Sequence, residues 1–180
     1  MPPTPAEYFE QVVPRQYAAA MADAPQSAAE QPALTATYVI DGPEGGSFGL
    51  RAEGGAMEYV PGGIEGSDML VQQSYENWAR SVEAGGAEMF VDYARRGKVA
   101  VVKSLKGAVT IELTRSDGSL HETTVIFGGQ SEPAVTLQMT TEDYRAMMSG
   151  ELNGNMAFMM GKLKFEGSLP LLMQVGALSG

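Results

Sequence analysis

The last third of the chain constrains it most. Residues 134–178, AVTLQMTTEDYRAMMSGELNGNMAFMMGKLKFEGSLPLLMQVGAL, read as a strand, a helix, a Gly break, a second short helix, a strand and a closing apolar helix. The two middle helices place Met147, Met148, Met156, Phe158, Met159 and Met160 at helical spacing. Unbranched thioethers fill irregular space and adapt to varied apolar partners. A wall so rich in them suits a cavity that accepts a flexible apolar molecule, although the same stripe also serves a plain core.

The order of words in this segment narrows the choice. It carries Glu142-Asp143-Tyr144 heading a helix, then Gly150-Glu151-Leu152-Asn153, Ala157-Phe158, and Gly161-Lys162-Leu163-Lys164-Phe165-Glu166-Gly167. In these words and their spacing it resembles the sterol carrier protein 2 (SCP2) family. The resemblance implies an α+β, SCP2-like fold: a twisted β-sheet with helices covering one face and an apolar C-terminal helix that shuts a lipid tunnel. It further implies binding of sterols, fatty acids or other lipids, usually without catalysis. Phe165 stands where the family has Ile, the strand after Phe127 is cut to a turn over 128–133, and the chain is longer than a lone SCP2 unit.

Charge and composition exclude several other classes. A net charge of −10 opposes nucleic acid, which is held by cationic neutralisation of phosphates, and opposes general attraction to anionic membranes. With no cysteine there is no disulfide framework, zinc ribbon or thiol catalysis. At 180 residues one buried core is expected. The opening MPPTPAEYFEQ lacks a basic stretch followed by an apolar run, so no secretory signal is read there and a cytoplasmic location is expected. No run of eighteen apolar residues suggests a transmembrane segment.

Along the chain, Thr4-Pro5-Ala6-Glu7 opens a helix with a capping box, which Pro14 should break or kink. Residues 22–32 read as a linker, so 1–32 form an N-terminal helical segment and 33–180 the SCP2-like domain. From Ala33 the apolar period becomes two, giving strands near 34–40, 47–52, 56–60 and 68–73. Ser74 caps a helix closing at Gly85-Gly86, a second helix covers 87–96, and 98–105 reads as an apolar strand. Strands over 108–114 and 121–127 follow.

Leu70 to Val82 can be laid over Thr136 to Met148, pairing Gln72 with Gln138 and Trp78 with Tyr144. Gly97-Lys98-Val99 likewise parallels Gly161-Lys162-Leu163. A degenerate internal duplication, with half-repeats 33–107 and 108–180, is one reading; chance alignment of two amphipathic segments is the other. The first-half helices carry Glu88, Asp92, Arg95 and Arg96, and look less like a lipid wall.

Candidate chemistry is sparse. His121 is the only histidine, and a surface strand position explains it. Glu142 and Asp143 sit in a helical first turn, where the macrodipole favours them. Asp68 resembles the Asp that opens the equivalent family strand. There is no nucleophile elbow, phosphate loop or dinucleotide fingerprint. No catalytic residue, metal or cofactor is called for. Arg95, Arg96, Lys98, Lys103 and Lys106 form a basic stretch without acids, explained either as a solvated edge or as a contact for a membrane or an enzyme partner.

The expected function is a non-catalytic lipid-binding carrier holding a sterol, fatty acyl or similar ligand. Its ligand-binding residues would be Met147, Met148, Met156, Phe158, Met159, Leu163, Phe165, Leu172 and Met173. The alternative is an accessory or interaction module of a larger lipid-metabolising enzyme system. A weaker third reading is an enzyme acting on a lipid through Asp68 or His121.

Overall fold

The computed structural model describes residues 1–85 and 88–178. The chain enters through α1 (Pro5–Glu7), a π-helical turn (Tyr8–Val12) and α2 (Val13–Ala22). Thr4 and Glu7 form the expected reciprocal capping box. Pro14 does not break the helix. Ahead of it the Val13 N–H already reaches Tyr8 O, so the helix has widened by a residue and Pro14 sits in the first turn of α2, where a missing donor is tolerated. The expected linker contains a short helix, α3 (Gln26–Ala29).

Four strands follow: β1 (Leu34–Asp41), β2 (Gly46–Glu53), β3 (Ala56–Pro61) and β4 (Met69–Ser74). Then come α4 (Tyr75–Ala84), α5 (Met89–Arg95) and α6 (Val99–Ser104). The second half supplies β5 (Gly107–Thr114), β6 (Leu120–Phe127), β7 (Ala134–Thr140), α7 (Thr141–Met148), α8 (Gly154–Met159), β8 (Lys164–Gly167) and α9 (Leu169–Val175). The expected start of the second helix at Ala87, and Gly86 before it, lie outside the described residues.

The strands form one mixed sheet in the order β3-β2-β1-β4-β6-β5-β7-β8. Neighbouring strands put Phe48, Tyr38, Val71, Val125, Val109 and Val135 in one row across it. All six are buried beneath helices. The opposite face carries polar pairs such as Thr110 with Thr124, 3.0 Å apart, and Gln138 donating to Glu112 at 2.9 Å. This alternation is what a sheet covered on one face requires, so the α+β architecture expected from the sequence is present.

Each half begins with the same skeleton. β1 pairs antiparallel with β2 and parallel with β4; β5 pairs antiparallel with β6 and parallel with β7. Ser74 and Thr140, matched in the sequence alignment, both cap the helix that follows. The halves then diverge. Residues 98–105, expected as a strand, contain α6, whereas 164–167 form β8. Hydrogen bonding explains the difference: the outer edge of β4 is taken by β6, while β7 has an open edge that β8 completes. Denied a ladder, the segment leaves Gly97 (φ 73°) as a helix that buries Val99 and Val102 one turn apart.

Candidate ligand-binding site

The N-terminal segment covers the first half of the sheet. Phe9 is completely buried, stacked on Phe48 at 5.1 Å and 4.7 Å from Tyr38, and Tyr8 meets Trp78 edge-on at 5.7 Å. The second half has no such filling. At the register where Tyr38 lies beside Val71, Ile111 lies beside Leu137. Above it is a cavity of about 570 Å³, within the range of small-molecule sites.

Its roof is built from the segment singled out in the sequence. Thr140 accepts from Asp143 N–H at 3.1 Å and starts α7, which turns Tyr144, Met147 and Met148 towards the cavity. Asn153 accepts from the N–H groups of Asn155 and Met156 to start α8. After Gly161 (φ 72°), the Lys162 N–H closes on Ala157 O at 2.8 Å and aims the chain back towards the sheet. Leu163 and Phe165 then line the cavity, while the Lys162 ammonium lies 3.5 Å from the Asp143 carboxylate. Ser168 caps α9, whose Leu172 and Met173 complete the wall.

Seven of the nine expected residues therefore line one cavity: Met147, Met148, Phe158, Leu163, Phe165, Leu172 and Met173. Met156 and Met159 do not. The short α8 turns Ala157 inward, leaving Met156 56% and Met159 83% exposed on its flanks. Met160 lies outside the lining as well, at 58% exposed. Phe158, Leu169 and Met173 both line the cavity and are at least half exposed, which makes them its rim.

The floor was not assigned to the pocket from sequence. Val109, Ile111 and Val125 supply it; their period-two alternation was visible, but not which helix would stand off from the strands. Met89 and Tyr93, on a first-half helix expected to be a poor lipid wall, also face the cavity. The charges of that helix point elsewhere: Asp92 bridges Arg95 at 2.7 Å and Arg96 at 2.8 Å, and Arg96 donates to Leu178 O at 2.8 Å. Burial raises the Tyr93 phenol and pushes Tyr144 up to about 12, so both remain neutral.

The candidate acids and bases are occupied structurally. Asp68 accepts from Thr35 N–H at 3.0 Å and pairs with Lys103 at 3.1 Å, clamping β1 to α6. His121 Nδ1 lies 3.2 Å from an Arg115 Nη2 that can only donate, and Nε2 lies 2.9 Å from Thr123 Oγ1. The tautomer follows: Nδ1 accepts and Nε2 carries the proton. Burial, then the Arg115 charge, lowers the imidazole's pKa from its ordinary 6.5. Among the described residues no group of three or more His, Cys, Asp or Glu is placed to hold a metal ion, and no helix is long and apolar enough to cross a membrane.

Comparison with known proteins falls on the cavity-bearing half. The model of the SCP-2 sterol transfer family matches residues 94–179. Over these residues the chain is similar to an SCP-2 domain. The stretch contains the roof and most of the floor of the cavity.

Over 102 residues the chain is 31% identical to peroxisomal multifunctional enzyme A of Dictyostelium discoideum, covering 54% of this chain and 22% of that protein. It is 36% identical over 83 residues to hydroxysteroid dehydrogenase-like protein 2 of Homo sapiens, covering 42% and 20%. The alignments thus span about a fifth of these curated relatives. Among solved structures, the sterol carrier protein domain 2 of Helicoverpa armigera is similar over 48% of this chain and 76% of that one, at 24% identity and a TM-score of 0.39.

Proposed function

We propose that this chain is a non-catalytic lipid carrier that holds a sterol, a fatty acyl chain or a similar apolar molecule. The observation that carries the reading is the 570 Å³ cavity, apolar in floor and roof, walled by methionines within the SCP-2 stretch. Each buried methylene contributes roughly 0.8 kcal/mol, so a chain of about fifteen offers about 12 kcal/mol before costs. Association, ordering and competition with bilayers offset most of it. The result is micromolar retention with little discrimination by chain length.

The apolar rim of Phe158, Leu169 and Met173 supports loading from a lipid surface. The occupied state of Asp68 and His121 supports a role without catalysis. A second reading, an accessory module of a larger lipid-metabolising system, draws on the names of the relatives and on the small share of each that is matched. In that case a partner would meet the rim or the basic stretch, where Arg95, Arg96 and Lys103 are already engaged with Asp92 and Asp68.

Native mass spectrometry of freshly purified protein, followed by organic extraction, tests the reading. A stoichiometric adduct that extracts as a lipid supports the carrier. A protein that stays ligand-free after incubation with fatty acids, fatty alcohols and sterols removes it and leaves the accessory module.

A further inference from the structure

A second chamber, of about 450 Å³, adjoins the apolar cavity. The two share Met89, Ile111, Tyr144 and Met148 as common wall. Two of those four are unbranched thioethers that can swing aside at small cost. Beyond them the lining changes character, with Gln73, Glu88, His121 and Thr123 facing the space. Gln73 and Glu88 lie ahead of the SCP-2 stretch while His121 and Thr123 lie within it, so both halves of the chain build this end of the site.

The hydrogen bonds of these groups are directional. Arg115 obliges His121 to present Nε2–H to Thr123 Oγ1, at 2.9 Å. The Thr123 proton must then go elsewhere, and Gln73 Oε1 lies 3.5 Å away to accept it. That relay orients the Gln73 amide, leaving its NH₂ group without a partner among the described residues on a side chain only 8% exposed. The amide faces the chamber, where a ligand group that accepts from it gains a hydrogen bond. Across the chamber, Glu88 takes the Tyr8 hydroxyl at 2.7 Å on Oε1. The Tyr38 hydroxyl approaches the same carboxyl without reaching hydrogen-bonding geometry. Glu88 lies deep in the molecule yet remains partly accessible, because it faces the chamber rather than bulk solvent.

We propose that this chamber is a head-group site, selecting lipids that end in an uncharged hydroxyl over those that end in a carboxylate. The ligand's apolar body lies in the methionine-walled cavity. Its hydroxyl enters the chamber that both groups line, where it can accept from the Gln73 amide and donate to the Glu88 carboxylate. A fatty acid's carboxylate can accept from Gln73 but has nothing to donate to Glu88, whose carboxylate lines the same chamber; Asp92, also in the lining, is already paired with Arg95 and Arg96. Arg145 also lines the chamber, but is exposed at its edge, where solvent screens its attraction for an anion.

This inference rests on the carrier reading, and the experiment separates the two. Hexadecanol, palmitate and a pyrene-labelled alkane without a polar end are titrated at pH 8 against the full chain and its Gln73→Leu, Thr123→Val and Glu88→Gln variants. All four proteins are first checked for cooperative melting. The wild type is expected to prefer hexadecanol to palmitate by about tenfold, the effect of one or two net hydrogen bonds. Gln73→Leu should weaken hexadecanol about fivefold while leaving the alkane unchanged, and Thr123→Val should do the same more mildly by freeing the amide to rotate. Glu88→Gln should erase the preference by strengthening palmitate. If all three ligands bind and none of the substitutions changes their ranking, the head-group site is overturned and the carrier stands. If none binds the wild type, the carrier itself falls.

Discussion

Trp78 and Tyr144 occupy the same place in the two halves, each four residues beyond the hydroxyl that caps its helix, Ser74 and Thr140. Trp78 is sealed beneath the N-terminal segment, with Tyr8 at 5.7 Å on one side and Tyr75 at 5.4 Å on the other. Tyr144 has open space beside it instead, and forms part of the wall between the two chambers. One position, read through different neighbours, is a sealed core on one side and a cavity wall on the other.

Placement of the methionines predicts a contrast between two substitutions. Met148→Trp fills the cavity and should weaken binding of a fluorescent fatty-acyl probe by tenfold or more, about 1.4 kcal/mol. Met159→Lys lies on the exposed flank of α8 and should leave the affinity unchanged. Equal losses from both would place the probe outside the cavity.

Tyr8 and Glu88 are joined across 80 residues of sequence by a hydrogen bond to a buried carboxyl. Tyr8→Phe removes that donor and should lower unfolding stability by about 2 kcal/mol, measured by urea titration. The Tyr8 bond also opposes the burial that raises the Glu88 pKa. The same variant should therefore raise that pKa further, visible in a carboxyl-resolved NMR titration.

His121 supplies a pH dependence whose sign is fixed. Its pKa in the folded protein is lowered from 6.5 by burial and by Arg115, whereas in the unfolded chain it returns to the ordinary value. The unfolded state thus binds the proton more readily. This contribution to stability is fully present above 6.5 and is lost as pH falls through the lowered folded value. Melting curves from pH 7.5 to 5 should show that loss in the wild type, and a shallower slope in His121→Gln.

Gly107 begins β5 with φ 133°, and a Cβ there would clash with Pro133 O and stand 3.0 Å from Leu171 Cδ2. Gly107→Ala must therefore shift either the β7 entrance or α9. A loss of about 2 kcal/mol in chemical denaturation is expected. Gly118→Ala, also at positive φ but with nothing within 4 Å of its Cβ, isolates the backbone part of the cost.

Periodicity carried most of the strand pattern and the roof of the cavity. Val109, Ile111 and Leu113 alternate because one face of β5 is buried, and Met147 and Met148 stand three and four residues beyond Tyr144, the turn spacing of α7. Two features were illegible for physical reasons. The β-branched run at Val99, Val101 and Val102 has strand character, but a strand needs an open edge, and which edges are open is a property of the whole sheet. Met156 and Met159 share the composition of the cavity wall, yet α8 is only six residues long, so the inward placement of Ala157 sends them to solvent. The chamber around Gln73 and Glu88 draws on residues far apart in sequence, and no local spacing announces it.

Phe9 has a consequence for stoichiometry. Stacked on Phe48 and close to Tyr38, it lies over the first half of the sheet on the side where the second half is hollow. A tethered side chain acts at an effective concentration that free lipid in water does not reach. Although the two halves share a strand skeleton, the chain should load a single guest per molecule, because its own beginning already fills the other seat.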